Sequence, residues 1–148
     1  MTQLALFDQS TAVASADLPV ARLNPTNPRA LHTQDCYFET ITDNGWRMEI
    51  GIGCSAAGYH SAPSHYTGWS GSMSPVFVRT TAHDNFARAH HAAWQTLIDK
   101  LSRELTGQNH SHLSDGQKQI MRNMIERAIE AQAGIKPGKQ EWPQHQAA

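Results

Sequence analysis

The pattern of apolar and polar residues predicts a β-hairpin in the second quarter of the chain. Residues 36–41 and 46–54 are both rich in side chains typical of strands, and the turn sequence Thr-Asp-Asn-Gly separates them. Asn44 and Gly45 are residue types that accept the positive φ angles of a two-residue hairpin turn. We therefore expect two adjacent antiparallel strands that meet at this turn.

The second of these strands alternates between two kinds of residue. Its apolar positions share one face and comprise Trp46, Met48, Ile50, Ile52 and Cys54. The positions between them hold Arg47, Glu49, Gly51 and Gly53. Alternation with a period of two is typical of a strand with one buried face. The two glycines indicate that another part of the molecule approaches this strand closely, or that the strand carries a bulge.

A long stretch rich in glycine, serine, histidine and aromatic residues follows the hairpin. Residues 55–75 predict a loop of about twenty residues, and loops of that length are often functional or mobile. The next residues, Pro-Val-Phe-Val-Arg-Thr at 75–80, predict a third short strand.

Apolar residues at helical spacing predict two helices in the second half of the chain. The first follows Thr81 as its N-cap and ends at Gly107. Its apolar stripe comprises Phe86, His90, Trp94, Leu97, Ile98, Leu101 and Leu105. The second begins with a capping box made by Ser114 and Gln117, and ends with Gly134 as a left-handed cap. Its apolar face comprises Ile120, Met121, Met124, Ile125, Ala128 and Ile129.

These elements predict one α+β domain at residues 35–135. Its small antiparallel sheet of about three strands, in the order β-β-β-α-α, would carry both helices on one face. Residues 1–34 are expected to be a flexible tail, because small and polar residues dominate and two Asn-Pro steps disfavour helix. Residues 136–148 are expected to be a polar C-terminal tail. A core of this size is compatible with a homodimer formed through an edge strand without Pro or Lys.

The composition and net charge of the chain limit the classes of macromolecule that it is expected to bind. The chain has 148 residues, of which 39% are apolar and 17% charged. Its mean hydropathy of −0.53 agrees with part of the chain lying outside the core. The formal net charge is −1, so no overall basic field favours nucleic acid, and any such contact needs a local patch.

The cellular setting is predicted from signals that the sequence lacks. We find no signal-peptide pattern and no apolar run long enough to cross a membrane, which indicates a reducing, cytoplasmic environment. Cys36 and Cys54 lie in strand-like runs and are expected to be free buried thiols. A disulfide between adjacent strands is the alternative.

An apolar cluster stands near the start of the chain, in a region where chains are usually polar and frayed. The stretch Gln3-Leu4-Ala5-Leu6-Phe7 resembles the pentapeptide by which bacterial replication and repair proteins bind the sliding clamp of DNA polymerase III. Four positions match, and Ala5 stands at the tolerant middle position. The resemblance covers these five residues alone. It implies that Gln3 forms a hydrogen bond at the groove entrance, while Leu6 and Phe7 fill an apolar pocket.

The motif has a second interpretation, in which Leu4, Leu6 and Phe7 pack as a strand or short helix on the protein's own core.

The clamp-binding hypothesis agrees with the energetics of a docking peptide. An extended docking peptide must recover its ordering entropy through a few deep anchors, and an adjacent Leu and Phe provide them. The clamp-binding residues under this hypothesis are Gln3, Leu4, Leu6 and Phe7.

The predicted long loop and its flanks supply a second set of candidate binding residues. This set comprises Tyr59, His60, His65, Tyr66, Trp69, Arg47 and Arg79. Aromatic rings beside arginine suit single-stranded nucleic acid. The same composition suits a protein-binding loop. A third interpretation is a loop whose aromatic side chains simply cover the sheet.

No catalytic or cofactor motif is found. The nine histidines lack the spacing of zinc ligands, so no metal site is predicted. Glu39 and Glu49 are expected on the polar face of the sheet, where they would be solvated. Residues 51–58, Gly-Ile-Gly-Cys-Ser-Ala-Ala-Gly, match neither a phosphate loop nor a dinucleotide fingerprint, and no nucleophile elbow is present.

The sequence therefore predicts a non-enzymatic accessory or regulatory protein of phage or plasmid type. It would dock on the sliding clamp through residues 3–7 and bind a second macromolecule through the loop. Two alternatives stay open. One is a nucleic-acid-binding regulator, and the other is an inhibitor of a host defence or replication complex that acts by protein binding.

Overall fold

A computed structural model describes residues 18–67, 71–72, 74–107 and 113–135. The elements are, in chain order, β1 (Leu23–Asn24), β2 (Asn27–Leu31), a 3₁₀ helix (Thr33–Asp35), β3 (Tyr37–Asp43), β4 (Trp46–Ser55), β5 (Gly58–Tyr66), β6 (Gly71–Ser72), α1 (Phe86–Thr106) and α2 (Asp115–Ala133). Antiparallel strands followed by two helices confirm the predicted α+β class.

The main sheet has the strand order β3-β4-β5-β6, and all its pairings are antiparallel. The predicted hairpin is confirmed as β3 and β4, closed by the pair Asp43 and Trp46. At the turn between them, Asn44 has a φ of 51° and Gly45 a φ of 81°. These angles match the turn type whose twist suits two antiparallel strands.

The third long strand is β5, Gly58–Tyr66, so the prediction of a loop over these residues is wrong. Every residue of β5 has a register partner in β4, from Ser55 opposite Gly58 to Arg47 opposite Tyr66. Serine, proline and histidine have weak strand preference, but pairing along a long central strand overrides such preferences. The loop prediction failed because it considered only the composition of these residues and not their pairing with β4.

Residues 75–80 do not form the predicted third strand of the main sheet. Phe77 makes only an isolated bridge to Ala30, and residues 74–79 cross the outer face of the sheet instead. The amide of Ser74 donates a hydrogen bond to the Ser64 hydroxyl. Val76 covers Gly51, because a Cβ atom on that glycine would lie 3.0 Å from Val76 Cγ2. This segment is a second layer rather than a strand of the main sheet.

Folded structure begins before residue 35, which corrects the expected extent of the N-terminal tail. Strands β1 and β2 form a two-stranded sheet, and Leu31 is fully buried. Asn24 accepts hydrogen bonds from the amide and hydroxyl of Thr26, which closes the turn between the strands. A residue before proline prefers extended backbone, and that preference suits a strand as well as a tail.

The first helix starts later than predicted. Its N-cap is Asn85, whose side chain accepts a hydrogen bond from the Arg88 amide at 2.9 Å. The cap predicted at Thr81 is wrong because His83 pairs with Tyr59 at the free edge of β5, which keeps the preceding residues out of the helix. The helix ends at Thr106, with Gly107 as its C-cap as predicted.

The second helix begins at the predicted capping box, in which Ser114 and Gln117 exchange hydrogen bonds of 2.8 and 3.1 Å. Gly134 is its C-cap but has right-handed angles, with φ at −67° and ψ at −23°, so the left-handed cap is wrong. Its amide bonds to the Ala131 carbonyl in a final tight turn. In the described part of the chain, no helix has the length and apolar character needed to cross a membrane.

One hydrophobic core lies between the main sheet and both helices. The sheet contributes the predicted face of β4, and the helices contribute their apolar stripes. Its largest fully buried side chains are Tyr37, Met48, Ile50, Ile52, Phe86, Trp94, Leu97, Leu101, Met121 and Met124. Complete burial of a side chain of this size stabilises a fold by about 1.5–3 kcal/mol. The helices therefore cover one face of the sheet and leave the other for a second layer.

The opposite face explains the two glycines of β4. A Cβ atom on Gly53 would lie 2.5 Å from Leu31 Cδ1 and 2.8 Å from Cys36 Sγ. A Cβ atom on Gly51 would lie 2.7 Å from a ring carbon of Phe38. Close approach by other parts of the molecule is therefore confirmed, and it lets the β1–β2 hairpin and residues 74–79 rest directly on this half of the sheet.

Candidate functional site

A carboxylate on the helix-facing side of the sheet joins β3 to α1. Glu39 Oε1 accepts hydrogen bonds from His90 Nε2 at 2.8 Å and from Trp94 Nε1 at 2.7 Å. Glu39 Oε2 accepts a third from the Tyr37 hydroxyl at 2.9 Å. Placement of Glu39 on the polar face was wrong, because alternation along β3 sets it on the same side as Tyr37 and Ile41.

The electrostatics of this cluster keep Glu39 ionised and Tyr37 protonated. Burial raises the pKa of the Glu39 carboxyl, but the hydrogen bonds from His90, Trp94 and Tyr37 and the charge interaction with His90 together outweigh burial, so the pKa lies below its ordinary value. Burial, and then the neighbouring Glu39, raise the pKa of the Tyr37 hydroxyl. At neutral pH the carboxylate is therefore ionised and the phenol stays protonated as its donor.

The cluster has the geometry of a structural tie rather than of a catalytic dyad. Both oxygens of Glu39 accept hydrogen bonds from side chains of β3 or α1, so the carboxylate is held in one position between the two elements. The remaining nitrogen of His90, Nδ1, is buried and has no hydrogen-bond partner. A catalytic histidine would present that nitrogen to the reacting group. The ring of Phe86 stacks on the imidazole at 5.9 Å and closes the site further.

Sequence reasoning missed this cluster, although the sequence contains two patterns that place its members on the correct faces of β3 and α1. Tyr37, Glu39 and Ile41 occupy alternate positions of a predicted strand, which places them on one face. His90 and Trp94 are one helical turn apart in the predicted apolar stripe. What the sequence did not show is that the β3 positions and the α1 positions meet.

A second histidine, His60, lies buried on the outer face of the sheet. Its Nδ1 accepts a hydrogen bond from the Arg79 amide at 3.2 Å, and its Nε2 lies 2.7 Å from the Ser55 hydroxyl oxygen. Because an amide can only donate, Nε2 carries the ring proton and donates to Ser55. A nucleophilic serine requires the reverse direction of transfer. Burial lowers the pKa of His60, so its neutral form holds residue 79 in place.

A third histidine, His65, faces α1 from the end of β5. Its Nε2 is buried without a hydrogen-bond partner, as is Oε1 of Glu104. Burial lowers the pKa of His65, and the charge of Lys100 acts in the same direction while that of Glu104 opposes it. Within the described ranges of the chain, no group of three or more His, Cys, Asp or Glu side chains is placed to hold a metal ion.

The residues predicted to form a binding loop are divided between two faces of the sheet. Alternation along β5 turns Tyr59 and His65 toward the helices, where both are buried. His60 and Tyr66 lie on the outer face, and only Tyr66 is exposed. Trp69 lies outside the described residues. The expected set of stacking rings is therefore not assembled within the part of the chain that the structure describes.

Two members of that set are nevertheless brought side by side. Arg47 of β4 and Tyr66 of β5 are register partners on the outer face, and Tyr66 is 52% exposed. One Glu49 oxygen accepts from the Arg47 guanidinium at 3.0 Å and from the Thr40 hydroxyl at 2.9 Å. The part of this face near the β3–β4 turn thus presents a phenol ring and a guanidinium to solvent. Arg79 is also exposed, above His60.

The residues of the clamp-binding motif, Gln3, Leu4, Leu6 and Phe7, lie outside the described residues, so clamp docking stays a prediction from sequence. Cys36 and Cys54 are both free thiols, as expected, with Cys54 buried and Cys36 half-buried. Burial raises the pKa of the Cys36 thiol to about 12, so it is not a reactive thiolate.

Comparison of the chain with protein-family models, with curated proteins and with solved structures finds no match.

Proposed function

We propose that this protein is a non-enzymatic accessory factor that docks on the bacterial DNA polymerase sliding clamp and binds a second macromolecule. The observation that carries the proposal is the stretch Gln3-Leu4-Ala5-Leu6-Phe7. It combines a hydrogen-bonding side chain with adjacent Leu and Phe anchors, which is the chemistry of a short peptide that fills an apolar pocket. The site of action that follows is the cytoplasm, at replicating DNA.

The position of the motif along the chain suits a tethered docking peptide. Residues 8–17 separate Phe7 from Leu18, and ten residues span at most about 36 Å. A clamp bound at the motif would therefore hold the α+β domain within a few nanometres of its surface. Such a tether raises the local concentration of whatever the domain binds.

The second contact is proposed on the outer side of the sheet. Arg47, Tyr66 and Arg79 are the members of the predicted binding set that are exposed in the described residues. Tyrosine and arginine are enriched at protein interfaces, and an overall charge of −1 favours a protein over nucleic acid as the partner.

The proposal of a non-enzymatic role is supported by the chemistry of the buried polar clusters. The Glu39 oxygens are occupied by three donors, and the His60 tautomer points its proton toward Ser55. In both clusters the hydrogen bonds fix one layer of the fold against another.

Clamp docking is tested with the full-length protein carrying a fluorescent label. Titration with purified sliding clamp, followed by fluorescence anisotropy, is expected to give a saturable curve. An unlabelled synthetic peptide of residues 1–12 should displace the protein, whereas the same peptide with Leu6 and Phe7 replaced by Ala should not. Absence of binding, or binding that the first peptide leaves intact, would contradict the proposal.

A further inference from the structure

Three extended segments form a second layer over the glycine-containing half of the main sheet. Leu23 of β1 is the register partner of Leu31 in β2. On the other side of β2, the Leu31 amide bonds to the Val76 carbonyl at 2.8 Å and the Val78 amide to the Arg29 carbonyl at 2.9 Å. We refer to β1, β2 and residues 76–79 together as the outer layer. Arg29 and Val78 are therefore direct neighbours on two adjacent segments of this layer.

The outer layer and its flanks concentrate positive charge in a chain whose net charge is −1. Residues 18–32 and 74–83 contain three arginines and neither Asp nor Glu. Arg22 pairs with Asp35, through contacts of 2.8 and 3.1 Å. Arg29 and Arg79 are exposed, and no ion pair with a described residue neutralises either of them. Two guanidinium groups on this layer are thus available to an acidic partner.

Exposed aliphatic side chains accompany these two arginines. Leu23 is 53% exposed and Val78 is 40% exposed, and Val20 just before β1 is 65% exposed. A single exposed apolar residue on a protein surface needs no explanation. Here, however, Val78 lies beside the unpaired Arg29, and Leu23 lies on the strand at the other edge of the same small layer. Apolar contact area next to an unpaired arginine is the composition of a protein interface.

We propose that the outer layer binds an acidic, aliphatic-rich segment of a partner protein. Carboxylates of that segment pair with Arg29 and Arg79, and its apolar side chains cover Val78 and Leu23. The inference deepens the second contact of the proposed function and does not depend on clamp docking. It centres that contact on the layer that contains Arg79 and extends it to Arg29.

Nucleic acid fits this surface less well than an acidic peptide does. Two unpaired guanidinium groups would neutralise about two phosphates, whereas tight backbone binding uses roughly 6–10 such contacts. Binding of single strands also relies on aromatic stacking platforms. The exposed large hydrophobic side chains of the layer, Leu23 and Val78, are aliphatic instead.

The test uses the full-length protein and three fluorescein-labelled probes. The first is a peptide in which Glu alternates with Leu and Val over nine residues. The second has Gln in place of every Glu, and the third is a twelve-residue oligothymidylate. Fluorescence anisotropy at 50 mM salt should show binding of the acidic peptide that is at least tenfold tighter than binding of the other two. Equal or tighter binding of either control probe would overturn the proposal.

Charge reversal locates the binding site. The double variant Arg29→Glu/Arg79→Glu should bind the acidic peptide at least tenfold more weakly. The matched control Arg88→Glu/Arg103→Glu makes the same charge change on exposed positions of α1 and should stay within about threefold of wild type, since screening limits long-range effects. Equal losses in the two variants would show non-specific attraction and overturn the proposal.

Amide chemical shifts supply a readout that needs no variant. Adding the acidic peptide to isotope-labelled protein should shift signals of residues 22–31 and 76–80, while those of α2 stay in place. Shifts confined to the helices would overturn the assignment of the surface.

Clamp binding is measured separately on the Arg29→Glu/Arg79→Glu variant and should be unchanged, which distinguishes failure of this inference from failure of clamp docking.

Discussion

The Glu39 carboxylate lies between β3 and α1 and accepts three hydrogen bonds. A glutamine at this position keeps the shape, but its amide nitrogen donates and leaves at least one of the three donors without an acceptor. We therefore expect Glu39→Gln to lower the free energy of unfolding by about 1–3 kcal/mol. Urea denaturation followed by circular dichroism measures the change.

Glu49→Gln is the matched control for this prediction. Glu49 lies on the outer face and bonds to two exposed partners, Thr40 and Arg47, so its replacement should change the free energy of unfolding by only about 0–1 kcal/mol. Equal effects of the two substitutions would mean that the Glu39 cluster does not hold α1 against the sheet.

Asp35 makes a pH-dependent contribution to stability. Hydrogen bonds from the Arg22 side chain and amide lower the pKa of Asp35 from 3.8 to about 2. A carboxyl group whose pKa is lowered by folding stabilises the fold above its unfolded pKa and loses that contribution as the pH falls through the folded value. The contribution should therefore be complete above about pH 5, fall steeply toward pH 2 and vanish at about pH 1.

Comparison of wild type with Asp35→Asn isolates this effect from other acidic groups. The wild type should unfold at a higher temperature than the variant at pH 6, and most of the difference should be lost by pH 2. Thermal unfolding at a series of pH values measures it. A difference of the same size at pH 6 and at pH 2 would exclude the Arg22–Asp35 pair as its source.

Some of these residue-scale features could be read from the sequence, and others could not. The alternation of Tyr37, Glu39 and Ile41 already places Glu39 on the buried face. Its partner His90, however, is 51 residues further along the chain, and no local pattern links the two positions. For the same reason the contact of Arg79 with His60, at a separation of 19 residues, was not predicted.

Among the elements, the β3–β4 hairpin and the start of α2 were predicted correctly from local signals. The turn at Asn44 and Gly45 and the capping box of α2 each depend on residues within four positions of one another. Strand β5 has no such signal, because its nine residues form a strand through their pairing with β4. The start of α1 was misplaced for a related reason, since the bridge between His83 and Tyr59 is a tertiary contact.

The start of α1 can be tested with two matched alanine substitutions. Asn85→Ala removes the side-chain oxygen that accepts from the Arg88 amide, and should lower the free energy of unfolding by about 1 kcal/mol. Thr81→Ala, at the exposed position first expected to be the cap, should change it by less than about 0.5 kcal/mol. Denaturant unfolding compares the two, and a larger effect at Thr81 would mean that the helix begins earlier.

The whole molecule has two unlike sides. The helices bury one face of the main sheet, and the outer layer rests on the other face because Gly51 and Gly53 lack side chains there. Among the described residues, four of the five exposed large hydrophobic side chains lie on the outer side or just before β1, and the proposed acidic partner belongs to the outer layer. If clamp docking holds, the protein is an adaptor with one contact near residue 5 and another on its folded domain.

The central claim of this account is that Leu6 and Phe7 anchor the protein on the sliding clamp. Calorimetric titration of the clamp with full-length wild type and with Leu6→Ala/Phe7→Ala tests it directly. The account predicts a measurable dissociation constant for wild type, a loss on the order of a hundredfold or more in the variant, and identical thermal unfolding of the two proteins. Failure of wild type to bind, equal binding by the variant, or a variant that unfolds at lower temperature would contradict it, and the last result would place these side chains in the fold.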